Sequence, residues 1–432
     1  TVKDAAEYQV NSPEGFVKDS SKWVIFPKLS YQNHIRMEKR NTELKSVFSD
    51  YPRNRIYPET DTACQKGIAT HGISFSYTME ALHGKAAPRL LKVATPFPFP
   101  EQLAVEFLQG LDEVLCLEEL DPVIEQELVY LCGKYHLPTR IRGQLTEDVA
   151  LAGENSCDSV AADLAAFLGW QPPKQNTADQ PPELPVRPPV LCAGCPHRAS
   201  FFAVKEAMKG KKSVFCGDIG CYTLGNAMPL DMVDTCLCMG AGVNMTQGIG
   251  KIEPDTTCFA FVGDSTFFAS AITGMVNAVY NQANMTLVVL DNSTTAMTGH
   301  QPHPGTGKTM MGQVVDKVSI EDTLHGIGVK TVETVNPLHL QEAIDCVKRV
   351  AVQDGVKAII FKSPCAVLIK SGKPAQIEES KCIQCKKCIR TLGCPAIMLQ
   401  DGKVQIEQAL CTGCGLCAQV CPTAAIGGAC HA

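Results

Sequence analysis

Eight cysteines between residues 382 and 421 are the side chains best suited to bind a cofactor. They form two runs, each opening with the spacing C-x-x-C-x-x-C and closing with a cysteine that proline follows. This pattern is typical of proteins that hold a pair of [4Fe–4S] clusters, and it predicts one-electron transfer. The first run is Cys382, Cys385, Cys388 and Cys394, and the second is Cys411, Cys414, Cys417 and Cys421.

The spacing also predicts which cysteines share a cluster. Three closely spaced thiolates bind one cubane, and its fourth ligand comes from the other run. Five residues rather than three separate Cys388 from Cys394, so a longer loop precedes that ligand. Disulfides or structural zinc are the alternatives, but zinc sites favour paired C-x-x-C hooks. The expected ligand sets are Cys382, Cys385, Cys388 with Cys421, and Cys411, Cys414, Cys417 with Cys394.

The composition favours a metal-binding protein of a reducing compartment. The chain has 432 residues, 22 cysteines and a formal net charge of −6. Many cysteines without a recognisable export signal favour the cytoplasm and metal binding over disulfides. No apolar run is long enough to span a membrane, and the mild acidity argues against a nucleic-acid partner. Since the first residue is Thr1, a segment upstream of it is expected.

The elements that must position these cysteines suggest about three domains. Residues 1–57 are polar and irregular and predict an extended linker. Residues 58–170 alternate strand and helix patterns, which is typical of a small α/β domain with a parallel sheet. Residues 171–190 hold seven prolines and predict a semi-rigid spacer. A second α/β domain over 191–375 and a small α+β module over 376–432 complete the predicted fold.

Apolar runs predict the individual elements of the two α/β regions. In the first region we expect strands at 68–76, 90–93 and 113–119 and helices at 101–110 and 124–132. In the second we expect strands at 213–216, 258–262, 286–290 and 358–362 and a helix at 269–281.

Two neighbouring strands of the second region end at polar residues that could bind a ligand. One ends at Gly263 and Asp264, the other at Asp291 and Asn292. In a parallel sheet these side chains lie at the carboxyl edge, where open α/β sheets bind ligands. A carboxylate and an amide oxygen suit Mg²⁺, which also binds diphosphate oxygens, while Gly263 would permit close backbone approach. An ordinary strand–helix turn is the alternative.

These segments resemble the thiamine diphosphate motif, in which Gly-Asp-Gly is followed at this distance by Asn. The resemblance implies that Mg²⁺ is held by Asp264, Asn292 and the backbone carbonyl of Thr294. Gly263 and Ser265 would flank the diphosphate, with Ser265 standing in place of the motif's second glycine.

A wider resemblance places the chain beside the large subunits of 2-oxoacid:ferredoxin oxidoreductases of the indolepyruvate type. It covers the linker and all three predicted domains, and it implies a transketolase C-terminal-like fold for residues 58–170. The segments that carry it are LCAGCPHR (191–198), GDIGCYTLG (217–225), GDSTFF (263–268) and DNSTTAMTGHQPHPG (291–305).

The family resemblance implies oxidative decarboxylation of an aryl 2-oxoacid, with CoA as acyl acceptor and ferredoxin as electron acceptor. Family members also carry a domain that binds the pyrimidine ring and supplies an activating glutamate, and none is recognised before residue 58. We therefore expect that half of the site on another chain or domain, besides a small partner subunit. The alternatives are a pyruvate, 2-oxoglutarate or phenylglyoxylate enzyme, or an electron-transfer subunit with a vestigial thiamine site.

A third set of cysteines lies outside the two runs. In related enzymes cysteines in similar settings ligate a [4Fe–4S] cluster near the thiamine, which implies a third cluster here. The CAGCPH context differs from the relatives' Cys-Pro-Gly-Cys-Gly. A redox dithiol, zinc or free buried thiols are the alternatives. The set is Cys192, Cys195, Cys221 and Cys365.

Several further residues are candidates for the site. His300 and His303 follow the metal-binding loop and could hydrogen-bond the substrate, and His197 could face the substrate or a cluster. Gly240 and Gly242 precede a predicted helix and could donate backbone N–H groups to the diphosphate, with small-residue packing as the alternative. Four basic residues near the first cysteine run could steer an acidic ferredoxin or form a solvated face: Lys381, Lys386, Lys387 and Arg390.

Overall fold

The computed structural model describes residues 15–58, 64–85, 88–171 and 184–428. The chain divides into two compact units, Thr1–Glu183 and Leu184–Ala432. The division falls within the predicted spacer, of which residues 172–183 lie outside the described part. Among the described residues no helix is both long and apolar enough to cross a membrane.

The first unit is built on one five-stranded sheet. Its strands are β1 (Arg55–Tyr57), β2 (Lys66–Thr70), β3 (Arg89–Lys92), β4 (Glu113–Leu117) and β5 (Arg140–Arg142). Its helices are α1 (Ser20–Trp23), α2 (Pro27–Ser49), α3 (Gly72–Ala81), α4 (Glu101–Leu108), α5 (Val123–Tyr135) and α6 (Cys157–Leu168). The strand order is β1-β3-β2-β4-β5, and β1 alone runs antiparallel to its neighbour. Apolar cores cover both faces, as predicted for an α/β domain.

The extended linker predicted for residues 1–57 is wrong where the structure describes it. Residues Pro27–Ser49 form one helix of 23 residues. Proline at the first helical position favours this start, since its missing N–H needs no partner there, and neither glycine nor another proline interrupts the run. None of its side chains is buried, so the sequence has no apolar periodicity from which to predict the helix.

The strand predicted for 68–76 is also too long. It ends at Thr70, and helix α3 begins at Gly72, whose φ of +54° turns the chain. Glycine adopts this left-handed conformation without steric cost. The other elements predicted for this unit are observed with shifted ends.

The second unit contains an all-parallel five-stranded sheet. Its strands are β6 (Ser213–Cys216), β7 (Thr257–Gly263), β8 (Met285–Asp291), β9 (Thr331–Val335) and β10 (Val356–Lys362). Its helices up to this point are α7 (Pro196–Ala207), α8 (Ala241–Ile252), α9 (Asp264–Thr266), α10 (Ile272–Tyr280), α11 (Ile320–Ile327) and α12 (Leu340–Ala351). The strand order is β6-β7-β8-β10-β9, which confirms the predicted parallel α/β domain. The helix predicted for 269–281 begins earlier, because a π-helical turn, Phe267–Ala271, joins α9 to α10.

The cysteine-rich end of the chain belongs to the same compact unit. Its elements are β11 (Gln376–Ile377), α13 (Lys387–Leu392), β12 (Ile397–Gln400), β13 (Lys403–Ile406), α14 (Leu416–Val420) and β14 (Ile426–Gly427). Two antiparallel strand pairs and two short helices give the predicted α+β module. Leu392 and Leu416 share one apolar core with Phe201 and Phe261 of the parallel-sheet region, so the module is packed against that region.

Candidate functional site

Asp264 and Asn292 lie at the same edge of the second sheet. Strands β7 and β8 are paired in parallel, with Gly263 opposite Leu290, so the residues that follow each strand are neighbours. Both side chains are buried and line the same cleft. Ser265 and Thr294 also line this cleft, so the structure brings together the residues that the motif predicts.

The carboxylate of Asp264 has one oxygen available to a cation. Its Oδ1 accepts the N–H of Ser265 at 2.8 Å, whereas Oδ2 is buried and, among the described residues, lies 3.1 Å from His303 Nε2 without forming a hydrogen bond. The amide Oδ1 of Asn292 accepts the N–H of Thr294 at 3.3 Å. Burying a charged oxygen without a partner is costly. These oxygen donors fit Mg²⁺, which prefers carboxylate, carbonyl and phosphate oxygens.

His303 and His300 do not lie together. His303 is buried, with Nε2 at 3.1 Å from Asp264 Oδ2, and its Nδ1 accepts the N–H of Gly305 at 3.2 Å. A neutral imidazole that accepts at Nδ1 carries its proton at Nε2, where it faces Asp264. His300 is exposed, and neither histidine is among the residues that line the cleft. The prediction that both contact substrate is therefore not supported by their positions.

His197 is the histidine that lines the cleft. It is buried, and its Nε2 lies 3.2 Å from the amide nitrogen of Asn292. Burial lowers the pKa of His197 to about 4, although the charge of Asp264 acts in the opposite direction. The neutral ring therefore accepts the Asn292 N–H, which directs the amide oxygen away from His197.

A buried hydrogen-bond network that the sequence did not predict lies beside the cleft. Asp218 is fully buried and accepts the hydroxyl of Tyr222 at 2.7 Å. That hydroxyl also lies 3.0 Å from the Thr266 hydroxyl. A Cβ atom on Gly263 would lie 2.5 Å from the Tyr222 ring, so the close approach that this glycine permits is made by Tyr222. Asp218 and Tyr222 belong to the segment GDIGCYTLG, but the sequence alone does not show that this segment contacts Gly263.

The predicted diphosphate donors Gly240 and Gly242 are occupied by packing. The Gly240 N–H is donated to Asp218 Oδ1 at 2.8 Å and is not free for a ligand. A Cβ on Gly242 would lie 2.6 Å from the Gly217 carbonyl oxygen, because α8 crosses close to the end of β6. Small-residue packing thus explains why both positions are glycine, and the role of the Gly242 N–H as a diphosphate donor stays a prediction.

The eight C-terminal cysteines line two separate cavities, in the combinations that the spacing predicts. The first and the second cysteine cavity are each lined by three cysteines of one run and the last cysteine of the other. Every cysteine in the described part of the chain is free, and no described group of three converges closely enough for a single metal ion. Four thiols around a wider space fit a polynuclear cluster. The first cavity holds Cys382, Cys385, Cys388 and Cys421, and the second holds Cys394, Cys411, Cys414 and Cys417.

The third set of cysteines is only partly gathered. Burial raises the pKa of Cys221, and the nearby thiols of Cys192 and Cys365 raise it further. The Cys365 N–H donates to the Asn292 carbonyl at 2.9 Å, so Cys365 lies beside the cleft. Cys195 instead lines the second cysteine cavity. Three members of the set thus lie near the cleft, and the fourth lies toward the C-terminal module.

Two family models match the second unit. The C-terminal binding domain of thiamine pyrophosphate enzymes matches residues 218–361, which include Asp264 and Asn292. A 4Fe-4S dicluster domain matches residues 375–427, which include the eight cysteines. These matches show a thiamine diphosphate domain joined to an iron–sulfur domain.

Full-length relatives extend this match over nearly all of the chain. An indolepyruvate oxidoreductase subunit IorA from Methanothermobacter marburgensis is 36% identical over 435 residues, covering 98% of this chain and 70% of that protein. IorA of Archaeoglobus fulgidus is 38% identical, covering 83% of this chain and 59% of that protein. IorA of Pyrococcus horikoshii is 34% identical, covering 94% and 67% respectively. The chain therefore belongs to the family of indolepyruvate oxidoreductase IorA subunits, within the thiamine-diphosphate-dependent 2-oxoacid:ferredoxin oxidoreductases.

Proposed function

We propose that this chain catalyses, with partner subunits, the oxidative decarboxylation of indolepyruvate. The products are CO₂ and an acyl-CoA, and two electrons pass singly to ferredoxin. One observation carries the proposal: Asp264 lines a cleft in the unit that holds both cysteine cavities, and its buried Oδ2 makes no hydrogen bond within the described part of the chain although His303 Nε2 lies 3.1 Å away. Thiamine diphosphate, when bound, supplies the nucleophile for the keto carbon and accepts the electron pair as CO₂ leaves.

The protein's own part at this cleft is to hold Mg²⁺ and the diphosphate. We assign Asp264 Oδ2, Asn292 Oδ1 and the Thr294 carbonyl as the metal ligands, with Ser265 beside the diphosphate. His303 would position the Asp264 carboxylate, with Nε2 at 3.1 Å from Oδ2. His197 would orient the Asn292 amide. The N–H of Gly242 at the start of α8 would face the diphosphate, whereas that of Gly240 is already donated to Asp218.

The cleft lining favours an apolar substrate over a dicarboxylate. Ile219, Met239, Leu290 and Met297 contribute apolar side chains. Among the described residues that line the cleft there is no lysine or arginine, and such a residue would be needed to pair a second carboxylate like that of 2-oxoglutarate. This supports an aryl 2-oxoacid for the part of the pocket that this chain provides.

The two cysteine cavities provide the outlet for electrons. We assign one [4Fe–4S] cluster to each, with the ligand sets given above, and a third to Cys192, Cys195, Cys221 and Cys365. Lys381, Lys386, Lys387 and Arg390 would guide an acidic ferredoxin to the first cavity. Support for this face is limited to three of the four, because Lys381 is paired with Glu378 at 2.6 Å.

The remaining parts of the enzyme are assigned to the first unit of this chain and to other chains. Residues 58–170 would serve as the transketolase C-terminal-like domain, between the helix that precedes it and the spacer. The aminopyrimidine ring and its activating glutamate would be supplied by a separate domain or chain, and a small subunit would complete the substrate site. Cytoplasmic ferredoxin and CoA are the remaining partners.

The proposal is tested by a substrate panel on the complete complex. We expect thiamine diphosphate to copurify, and we expect CoA-dependent reduction of a viologen dye that is faster with indolepyruvate than with pyruvate or 2-oxoglutarate. A preference for 2-oxoglutarate would overturn the substrate assignment. A complex that contains clusters but binds no thiamine diphosphate would support the electron-transfer alternative instead. Iron analysis counts the clusters, since a third cluster adds about four irons per chain.

A further inference from the structure

A buried arginine lies in the wall of the second cysteine cavity. Arg198 is 3% exposed and lines this cavity together with five cysteines, the four proposed ligands and Cys195. It is the third residue of helix α7 and directly follows His197, which faces the Mg²⁺ cleft. Two adjacent residues of one helix turn therefore face the two proposed centres.

The described hydrogen-bond partners of the guanidinium group are backbone carbonyls and not carboxylates. Its Nη1 donates to the carbonyls of Leu392 at 2.6 Å and Gly393 at 2.8 Å, and its Nη2 donates to those of Leu191 and Cys192. Among the residues that the structure describes, the charged neighbours of this side chain are cysteines and not aspartate or glutamate. Arginine stays protonated in proteins, so a full positive charge is buried here.

One donor of this guanidinium remains unused. The Nε–H group is buried and has no hydrogen-bond partner in the part of the chain that the structure describes. The nearest groups that can carry negative charge are cysteines, among them Cys394, Cys195 and Cys414. A buried charge is stabilised only by an opposite charge or by dipoles. The four carbonyls provide dipoles, and the thiolates of a cluster would provide the charge.

The same side chain explains how the long loop before Cys394 is held. Its Nη1 contacts are the carbonyls of the two residues that precede Cys394. Gly393 has φ of +59°, and a Cβ there would lie 2.3 Å from the Pro229 ring. The loop is thus fixed between Arg198 and Pro229, which directs Cys394 into the cavity.

We propose that Arg198 is the counter-charge of the second cluster: its Nε–H donates to a cluster sulfur, and its charge raises that cluster's reduction potential. Reduction adds one negative charge to a cluster, so a fixed cation nearby favours the reduced form, and hydrogen bonds to sulfur act in the same direction. Among the described residues, the one cation that lines the first cavity is the half-exposed Lys386. The second cluster therefore accepts electrons more readily than the first. This inference rests on the ligand sets of the proposed function.

The direct test uses the unmodified protein. The full chain, in its complex, is labelled with ¹⁵N-arginine, reduced, and examined by pulsed EPR. We expect one cluster to show a ¹⁵N hyperfine coupling, which disappears in Arg198→Lys and persists in Arg390→Lys. Two EPR-active clusters without any ¹⁵N coupling would overturn the role of Arg198 while leaving the proposed function intact. Absence of clusters would instead refute the proposed function.

Redox titration supplies the second readout. In Arg198→Met the one-electron equilibrium constant for one cluster should fall at least tenfold, a shift of 59 mV, whereas Lys386→Met should change neither cluster by as much. Unchanged midpoints in Arg198→Met, with iron content intact, would contradict the proposal. If Arg198→Met fails to assemble the cluster, Arg198→Lys decides. Lysine keeps the positive charge. The midpoint potential of the cluster in Arg198→Lys should therefore differ from the wild-type value by less than 59 mV, although the ¹⁵N coupling is lost. A tenfold or larger shift in Arg198→Lys would assign the effect to loop geometry and overturn the electrostatic role.

Discussion

The imidazole Nε2 of His303 lies 3.1 Å from Oδ2 of Asp264, and both side chains are almost fully buried. The ring is held in place by the Gly305 N–H at Nδ1 and by stacking on Phe268, with ring centroids 6.0 Å apart. His303 therefore lies against the carboxylate that we assign to Mg²⁺, at 3.1 Å but outside hydrogen-bond geometry. Outer partners of this kind orient a metal ligand without binding the metal themselves.

Replacing His303 should weaken metal binding without removing it. In His303→Ala we expect the affinity for Mg²⁺ to fall about 10- to 100-fold, as is usual when a partner of a metal ligand is lost. Calorimetric titration of Mg²⁺ in the presence of thiamine diphosphate measures this. His300→Ala is the matched control, since His300 is exposed, and it should bind Mg²⁺ as the wild type does. Equal losses in both variants would show that His303 has no special relation to Asp264.

Removing the carboxylate itself should have a larger effect. In Asp264→Asn we expect Mg²⁺ affinity to fall by on the order of 100-fold or more, and thiamine diphosphate should be lost during purification. The cofactor content of the purified complex is the measurement. Asp255→Asn changes an exposed aspartate just before β7 and should keep a full complement. Normal cofactor content in Asp264→Asn would remove this residue from the site.

The longer loop before Cys394 leads to a prediction about iron. Because Cys394 lines the second cysteine cavity, Cys394→Ser should lose that cluster or leave it labile, lowering the iron content by up to about four per chain. Cys64→Ser changes an exposed cysteine of the first unit and should retain all the iron. An EPR spectrum of Cys394→Ser with both clusters unchanged would mean that another residue completes the second cluster.

The sequence predicted the residues that would bind cofactors better than the residues that position them. The cysteine spacing and the Gly-Asp-Ser pattern are local, so the cavities and the cleft could be anticipated from short segments. Asp218, Tyr222 and Arg198 act on residues far away in the chain, such as Leu392, 194 residues from Arg198. The sequence around each of these residues does not predict such long-range contacts. Helix α2 was missed for a different reason, since it buries no side chain and so lacks the periodicity on which helix prediction depends.

A buried carboxylate in the first unit predicts pH-dependent stability. Burial alone would raise the pKa of Glu101, but hydrogen bonds from Lys134, Tyr135 and Lys45 outweigh it and lower the pKa from 4.5 to about 2. A lowered folded-state pKa stabilises the protein above the unfolded value of 4.5, and this stabilisation is lost as the pH falls toward 2. At neutral pH, Glu101→Gln should lower the free energy of unfolding by about 1–2 kcal/mol, because both ammonium groups are partly solvated.

Tryptophan fluorescence measures this unit selectively. The two tryptophans, Trp23 and Trp170, both belong to the first unit, so urea unfolding followed by their emission reports on it. The difference between Glu101→Gln and wild type should shrink as the pH is lowered below 4.5. Glu106→Gln alters an exposed carboxylate on the same helix and should match the wild type throughout. A pH-independent difference would assign the effect of Glu101 to packing.

The central claim is that electrons from the 2-oxoacid, released in the cleft that Asp264 and Asn292 line, reach the clusters of the same chain. Its most direct measurement is EPR of the complete complex, mixed anaerobically with indolepyruvate and CoA and without an external acceptor. We predict a reduced [4Fe–4S] signal in the wild type and none in Asp264→Asn, whose clusters should still be reducible by dithionite. A substrate-dependent signal of equal size in Asp264→Asn would contradict the account, as would its absence in wild-type complex loaded with thiamine diphosphate.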